Sequence, residues 1–147
     1  MPTSGLRAKP KNTLRIVATI AAVLWAGLIF GLSSIPGSGF PPHPDILNSA
    51  AHFGLYAVLA VLVTLALSSP RRALWKTAII ALVICSAYGA SDELHQLFTG
   101  GRNCDVMDWL VDTIAALIFS WATIWYLSAR KVKASRAKDS KNITRKD

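Results

Sequence analysis

Four apolar runs set the terms for this chain. A helix needs about 20 residues to cross the hydrocarbon core of a bilayer, and residues 14–33, 46–67, 74–97 and 107–129 each supply that length. Helices of soluble domains carry one apolar stripe and one polar face, whereas these runs are apolar around most of their circumference. Only 16% of the 147 residues are charged, against about 25% in soluble domains, so a soluble fold is excluded. Short connections imply antiparallel neighbours. The expected architecture is all-α, a polytopic membrane protein with a bundle of four transmembrane helices. Residues 1–13 form a basic N-terminal segment and residues 14–129 the four-helix domain. Residues 130–147 form a polar, basic tail expected to be disordered. The first run reads as an uncleaved helix, because a signal peptide has an apolar region of about 7 to 15 residues. Two cysteines support no disulfide framework; Cys85 lies within a run and reads as a packing residue.

Lysine and arginine in short loops mark the cytoplasmic side, and their distribution is one-sided. The N-terminus carries Arg7, Lys9, Lys11 and Arg15, and the second connection Arg71, Arg72 and Lys76. The tail adds Arg130, Lys131, Lys133, Arg136, Lys138, Lys141, Arg145 and Lys146, leaving Arg102 alone on the opposite side. Both termini are therefore expected in the cytoplasm. The first connection, broken by Pro36, Pro41, Pro42 and Pro44, and the segment 98–105 then face outward. Trp75, Trp125 and Tyr126 near the inner ends and Trp109 near the outer end suit interfacial anchoring. The tail lacks any folded recognition module, so nucleic acid is not an expected partner.

Polar residues gather at the outward ends of three helices. Helix two carries His52 and Tyr56 one turn apart; helix three ends in Asp92, Glu93, His95 and Gln96; helix four opens with Asp108 and Asp112. Residues three or four apart share a helix face. Tyr88, Asp92 and His95 therefore form one stripe on helix three, and Ser86, Gly89, Glu93 and Gln96 the adjoining one. Asp105, Asp108 and Asp112 would share a face if helix four starts early enough. Ionisable residues within a membrane usually face the bundle interior or a wet cavity, which makes this cluster the candidate site. The plain alternative is a set of helix ends meeting water and headgroups.

The string SDELHQLFTGGRNCDVMDWLVDTIAALIF, residues 91–119, resembles the signature half of the VanZ-like family of small bacterial membrane proteins. The family pattern is matched by Asp92, Glu93, Gln96, Phe98, Arg102, Asp108 and Asp112, and its earlier His and Tyr by His52 and Tyr56. Departures are Asn48-Ser49 where Asp-Lys is frequent, Gly100-Gly101 for Pro-Gly, Asp112 for Asn and Ala115 for Gly. The first removes a possible ion pair near His52. The resemblance implies a bacterial cytoplasmic-membrane protein, and its founding member is associated with resistance to teicoplanin, a glycopeptide antibiotic. It implies no agreed reaction.

Residues and resemblance together lead to an outward-facing polar pocket that binds or modifies an envelope component, a lipid headgroup or cell-wall precursor. Glu93 or Asp92 would exchange protons with the substrate, and His52 would be the complementary base or acid. Tyr56 and Gln96 would orient ligand oxygens, Arg102 would hold an anionic headgroup, and Asp108 and Asp112 complete the ligand-binding set. No nucleophile with a partner is visible, so the sequence leaves catalysis open. A metal variant would place Mg²⁺ or Mn²⁺ among Asp92, Glu93, His95 and Asp108; the reading requires no metal and no cofactor. Transport is a weaker alternative, because the inner halves of helices one, two and four are almost wholly apolar and helix three offers Thr77 there. A third reading makes Glu93, Gln96, Asp112 and Arg102 pins between helices. Membrane lipids are the expected surroundings, and oligomerisation, including pairing through Cys104, is left open.

Overall fold

The computed structural model describes residues 10–39, 45–70, 72–102 and 104–143. These form four helices, α1 (Pro10–Ser33), α2 (Asp45–Leu67), α3 (Leu74–Gln96) and α4 (Val106–Ile143), with one 3-10 turn at Gly37–Gly39. No strand occurs among the described residues. Pro41, Pro42, Pro44, Arg71 and the basic residues before Pro10 and after Ile143 lie outside them.

All four helices are long and apolar enough to cross a membrane. Their packing is inverted relative to a soluble protein. Val23, Leu24, Val83 and Trp125 are more than half exposed, whereas Asp92, Glu93, Asp108 and Asp112 are buried. An apolar exterior around a polar interior is stable where the surrounding solvent is lipid. Small residues line the seams: Ala57, Ala60, Ala78, Ala81, Ala115 and Ala116 are buried. In lipid, where burial of apolar surface drives little, such residues let backbones approach closely enough for van der Waals contact.

Neighbouring helices run antiparallel, as short connections require. Arg15 Nε donates to the Ala66 carbonyl at 3.2 Å, placing the start of α1 beside the end of α2. At the opposite end the Gly37 amide donates to the Gly100 carbonyl at 3.0 Å, joining the α1–α2 and α3–α4 connections. A Cβ on Gly37 would overlap the Gly101 carbonyl, and Gly101 itself has φ 74°, so both positions need glycine. This is the loop end of the bundle. α2 packs against all three other helices, α3 against α4, and α1 only lightly against α3. Ile29, Tyr56, Ala57, Leu59, Ala60, Cys85, Ala115 and Ala116 form the core, where Cys85 is the packing residue expected of it.

Polar pins supplement the seams. Trp25 Nε1 donates to the Leu55 carbonyl (2.9 Å), Tyr88 Oη to Ala26 (2.6 Å), and the Ser86 and Thr113 hydroxyls lie 2.8 Å apart. Trp109 Nε1 donates to the Ser86 carbonyl at 3.1 Å, which makes this half-buried tryptophan a link between α3 and α4 and not simply the interfacial anchor expected.

The tail departs from expectation. Instead of becoming disordered at Arg130, the chain continues as α4 to Ile143. At 38 residues and about 1.5 Å per residue, α4 is about 57 Å long and overruns a bilayer core. Residues 128–143 contain neither Gly nor Pro and are rich in Ala, Lys and Arg, which are good helix formers. They extend a helix already nucleated, so each added turn escapes the cost of initiation.

Candidate functional site

Helix capping builds the entrance to α4. Asp105 precedes the first turn, and its Oδ1 accepts the Met107 amide at 2.8 Å, the bond an N-cap residue makes. Asp105 therefore caps the helix and does not share a face with Asp108 and Asp112. Its own amide donates to Glu93 Oε2 at 2.8 Å, tying the end of α3 to the start of α4.

The two stripes on α3 face two different helices. Tyr88, Asp92 and His95 turn toward α1: Ser33 Oγ lies 2.8 Å from Asp92 Oδ2, and Ser34 Oγ 3.0 Å from His95 Nε2. Gly89 and Glu93 turn toward α4. A Cβ built on Gly89 would meet Asp112 Oδ2 at 3.1 Å and Trp109 Cδ1 at 3.4 Å, so the missing side chain is what admits Asp112. Gln96 bridges the stripes, donating to Asp92 Oδ2 and Glu93 Oε1, each at 3.3 Å.

His52 on α2 stands between the two acids of α4. Its Nδ1 is 3.2 Å from Asp112 Oδ1, and its Nε2 is 4.0 Å from Asp108 Oδ2. Asp108 also accepts from Asn48 Nδ2 and from Ser49 Oγ (2.9 Å). Tyr56, one turn deeper, is parallel to the His52 ring at 6.4 Å and fully buried. Two polar atoms in this interior have no hydrogen-bond partner, Tyr56 Oη and Asp92 Oδ1.

The structure thus brings together seven of the eight residues singled out from sequence: His52, Tyr56, Asp92, Glu93, Gln96, Asp108 and Asp112 are all buried. Arg102 sits at the rim with its guanidinium engaged. Nε donates to Ile35 O (3.2 Å), and its two terminal nitrogens lie 3.5 Å from Gln96 Oε1 and Leu32 O. It therefore closes the C-terminal end of α1, where exposed carbonyls favour a cation. The oxygen-rich metal set Asp92, Glu93, His95 and Asp108 does not converge. Among the described residues the metal-competent group is His52, Glu93 and Asp112, whose donor atoms lie within 4.8 Å of one another. His95 is outside it, its ring stacked on Phe30 at 4.5 Å.

Sequence reasoning missed Ser33, Asn48 and Ser49. Asn48 and Ser49 lie four and three residues before His52, hence on its face, and they replace the expected loss of an ion pair with two hydrogen bonds to Asp108. Ser33 carried no signal beyond its place at the end of α1. Deeper in the bundle, Thr77, expected there, is fully buried together with Thr64 and Ser120, whose hydroxyls have no partner among the described residues.

A chain with lipid-compatible walls and acids turned inward is a multi-pass helical membrane protein. The VanZ/LLP1 family model matches residues 12–127, and the chain belongs to that family. The match takes in most or all of each of the four helices up to Leu127 and stops short of the basic extension of α4. No curated protein and no solved structure matches the chain.

Proposed function

We propose that this VanZ-family protein resides in a bacterial cytoplasmic membrane with both termini in the cytoplasm. In this reading its buried acid–imidazole cluster opens outward to bind or modify an envelope component, a lipid headgroup or cell-wall precursor, and so alters glycopeptide susceptibility. The orientation rests on the one-sided lysines and arginines. The observation that carries the site is the pair of buried, unpartnered atoms, Tyr56 Oη and Asp92 Oδ1, within the polar cluster. Buried polar groups without partners are destabilising; Thr64 and Ser120 share that state elsewhere, and it is the position of Tyr56 and Asp92 among the acids and His52 that supports a ligand's donor or acceptor here. Because Arg102 is tied to its own chain, recognition passes to Tyr56 and Asp92, with His52 and Glu93 as the acid–base pair.

A second reading is favoured by the remaining bonds. Ser33, Asn48, Ser49 and Gln96 all donate to the acids, three of them from another helix, as pins would. The two readings part in cells challenged with a lipoglycopeptide and carrying wild type or Glu93→Gln. The site reading expects Glu93→Gln to lose protection at unchanged membrane level. Protection that merely follows protein level supports pinning, and a wild type that confers none contradicts the envelope role.

A further inference from the structure

Four buried acids share one end of the bundle. Asp92, Glu93, Asp108 and Asp112 are all less than 10% exposed, and His52 stands beside Asp108 and Asp112, with Arg102 engaged at the rim. Carboxylates withdrawn from water are stabilised by an opposite charge or by a bound metal, and otherwise carry a large desolvation penalty.

We propose that His52, Glu93 and Asp112 bind one divalent transition-metal ion of the Mn²⁺ or Zn²⁺ class, going beyond the ion-free envelope reading above. The three come from α2, α3 and α4, and one donor atom of each lies within 4.8 Å of the others. The closest pair fits chelation: His52 Nδ1 and Asp112 Oδ1 are 3.2 Å apart. Metal–ligand bonds of about 2.1 Å give neighbouring donors separated by about 3.0 Å in an octahedron and about 3.4 Å in a tetrahedron. One imidazole nitrogen with two carboxylates suits Mn²⁺, Fe²⁺ or Zn²⁺ better than Mg²⁺ or Ca²⁺, which prefer oxygen throughout.

Supporting groups are in place around the three. With Nδ1 on the ion, His52 Nε2 lies 4.0 Å from Asp108 Oδ2, longer than a hydrogen bond but close enough for electrostatic support of the ligand. Asn48 and Ser49 hold Asp108, and the Asp105 amide and Gln96 hold Glu93. The independent pointer to a ligand is the unpartnered pair. Tyr56 Oη, on a ring parallel to His52 at 6.4 Å, and Asp92 Oδ1 are both without a hydrogen-bond partner among the described residues.

The test is direct titration of the full-length protein, purified in detergent, stripped with chelator and given Mn²⁺, whose free form is read by electron paramagnetic resonance. The expected result is one Mn²⁺ per chain, displaced by Zn²⁺. Affinity should fall about 10-fold or more in His52→Gln, Glu93→Gln and Asp112→Asn, about 10- to 100-fold in Asp108→Asn, and not at all in His95→Gln. Gel filtration selects folded variants, and His52→Gln or Glu93→Gln suffices alone should Asp112→Asn fail to fold. No stoichiometric binding by wild type, binding untouched by the folded variants of the three, or equal loss in His95→Gln overturns the proposal. The readout involves no antibiotic, so a failed metal site and a failed envelope role are separately visible.

Discussion

Gly89→Leu is expected to separate α3 from α4 and to lower the unfolding free energy by about 1–3 kcal/mol, the range for overpacking a close interface. The cause is local. A single Cβ at this position already stands 3.1 Å from Asp112 Oδ2 and 3.4 Å from both Asp112 Cβ and Trp109 Cδ1. Three further carbons have no room unless α4 withdraws, carrying Asp112 from His52 and Trp109 Nε1 from the Ser86 carbonyl. Gly54→Ala is the matched control, because nothing lies within 4 Å of a Cβ there; alanine should be neutral or slightly stabilising, as expected where the helix gains and no neighbour objects. Steric trapping in bicelles measures both. Equal stability of Gly89→Leu and wild type would show that the α3–α4 seam is not the tight contact described.

Asp112→Ala is expected to be destabilising by about 1–3 kcal/mol, the range for leaving a buried polar partner unsatisfied. Asp112 is fully buried, and its carboxylate is the nearest acceptor to His52 Nδ1. Alanine leaves that nitrogen without a partner and opens a gap beside Gly89. Asparagine keeps an acceptor oxygen and the volume, so Asp112→Asn should cost closer to about 0.6 kcal/mol, the average for a side-chain bond inside a membrane protein. The same unfolding measurement resolves the pair. Identical losses would mean that the carboxylate's charge, and neither its volume nor an acceptor oxygen for His52, sets the contribution of this position.

How much of this could be read beforehand differed by feature. Four spans follow from run length, and apart from the C-terminal end of α4 their ends differ by only a few residues: α1 begins at Pro10, a residue suited to the first helical turn. The α4 extension is hard to read from hydropathy, because low hydrophobicity does not exclude structure and an established helix needs only favourable propensity to continue. Spacing predicted two stripes on α3, and the structure gives each its partner helix, which periodicity alone does not name. His52, Asp108 and Asp112 could be placed near one another from their positions along the helices. That His52 sits between the two acids, and that Asp105 serves as a cap, depends on the rotation of α2 and the exact start of α4. Charge and family pattern point Arg102 toward a ligand, but its use by the carbonyls at the end of α1 is a tertiary fact, set by the meeting of two loops at Gly37 and Gly100.

Tyr56→Phe separates a working site from mere helix adhesion more directly than any change to the acids, since it removes one hydroxyl that bonds nothing among the described residues. The measurement is lipoglycopeptide susceptibility at matched membrane level, together with unfolding free energy. A functional cluster predicts that protection is lost while stability is unchanged or slightly raised. Full protection by Tyr56→Phe at wild-type level would contradict the account and leave the buried acids as pins between helices.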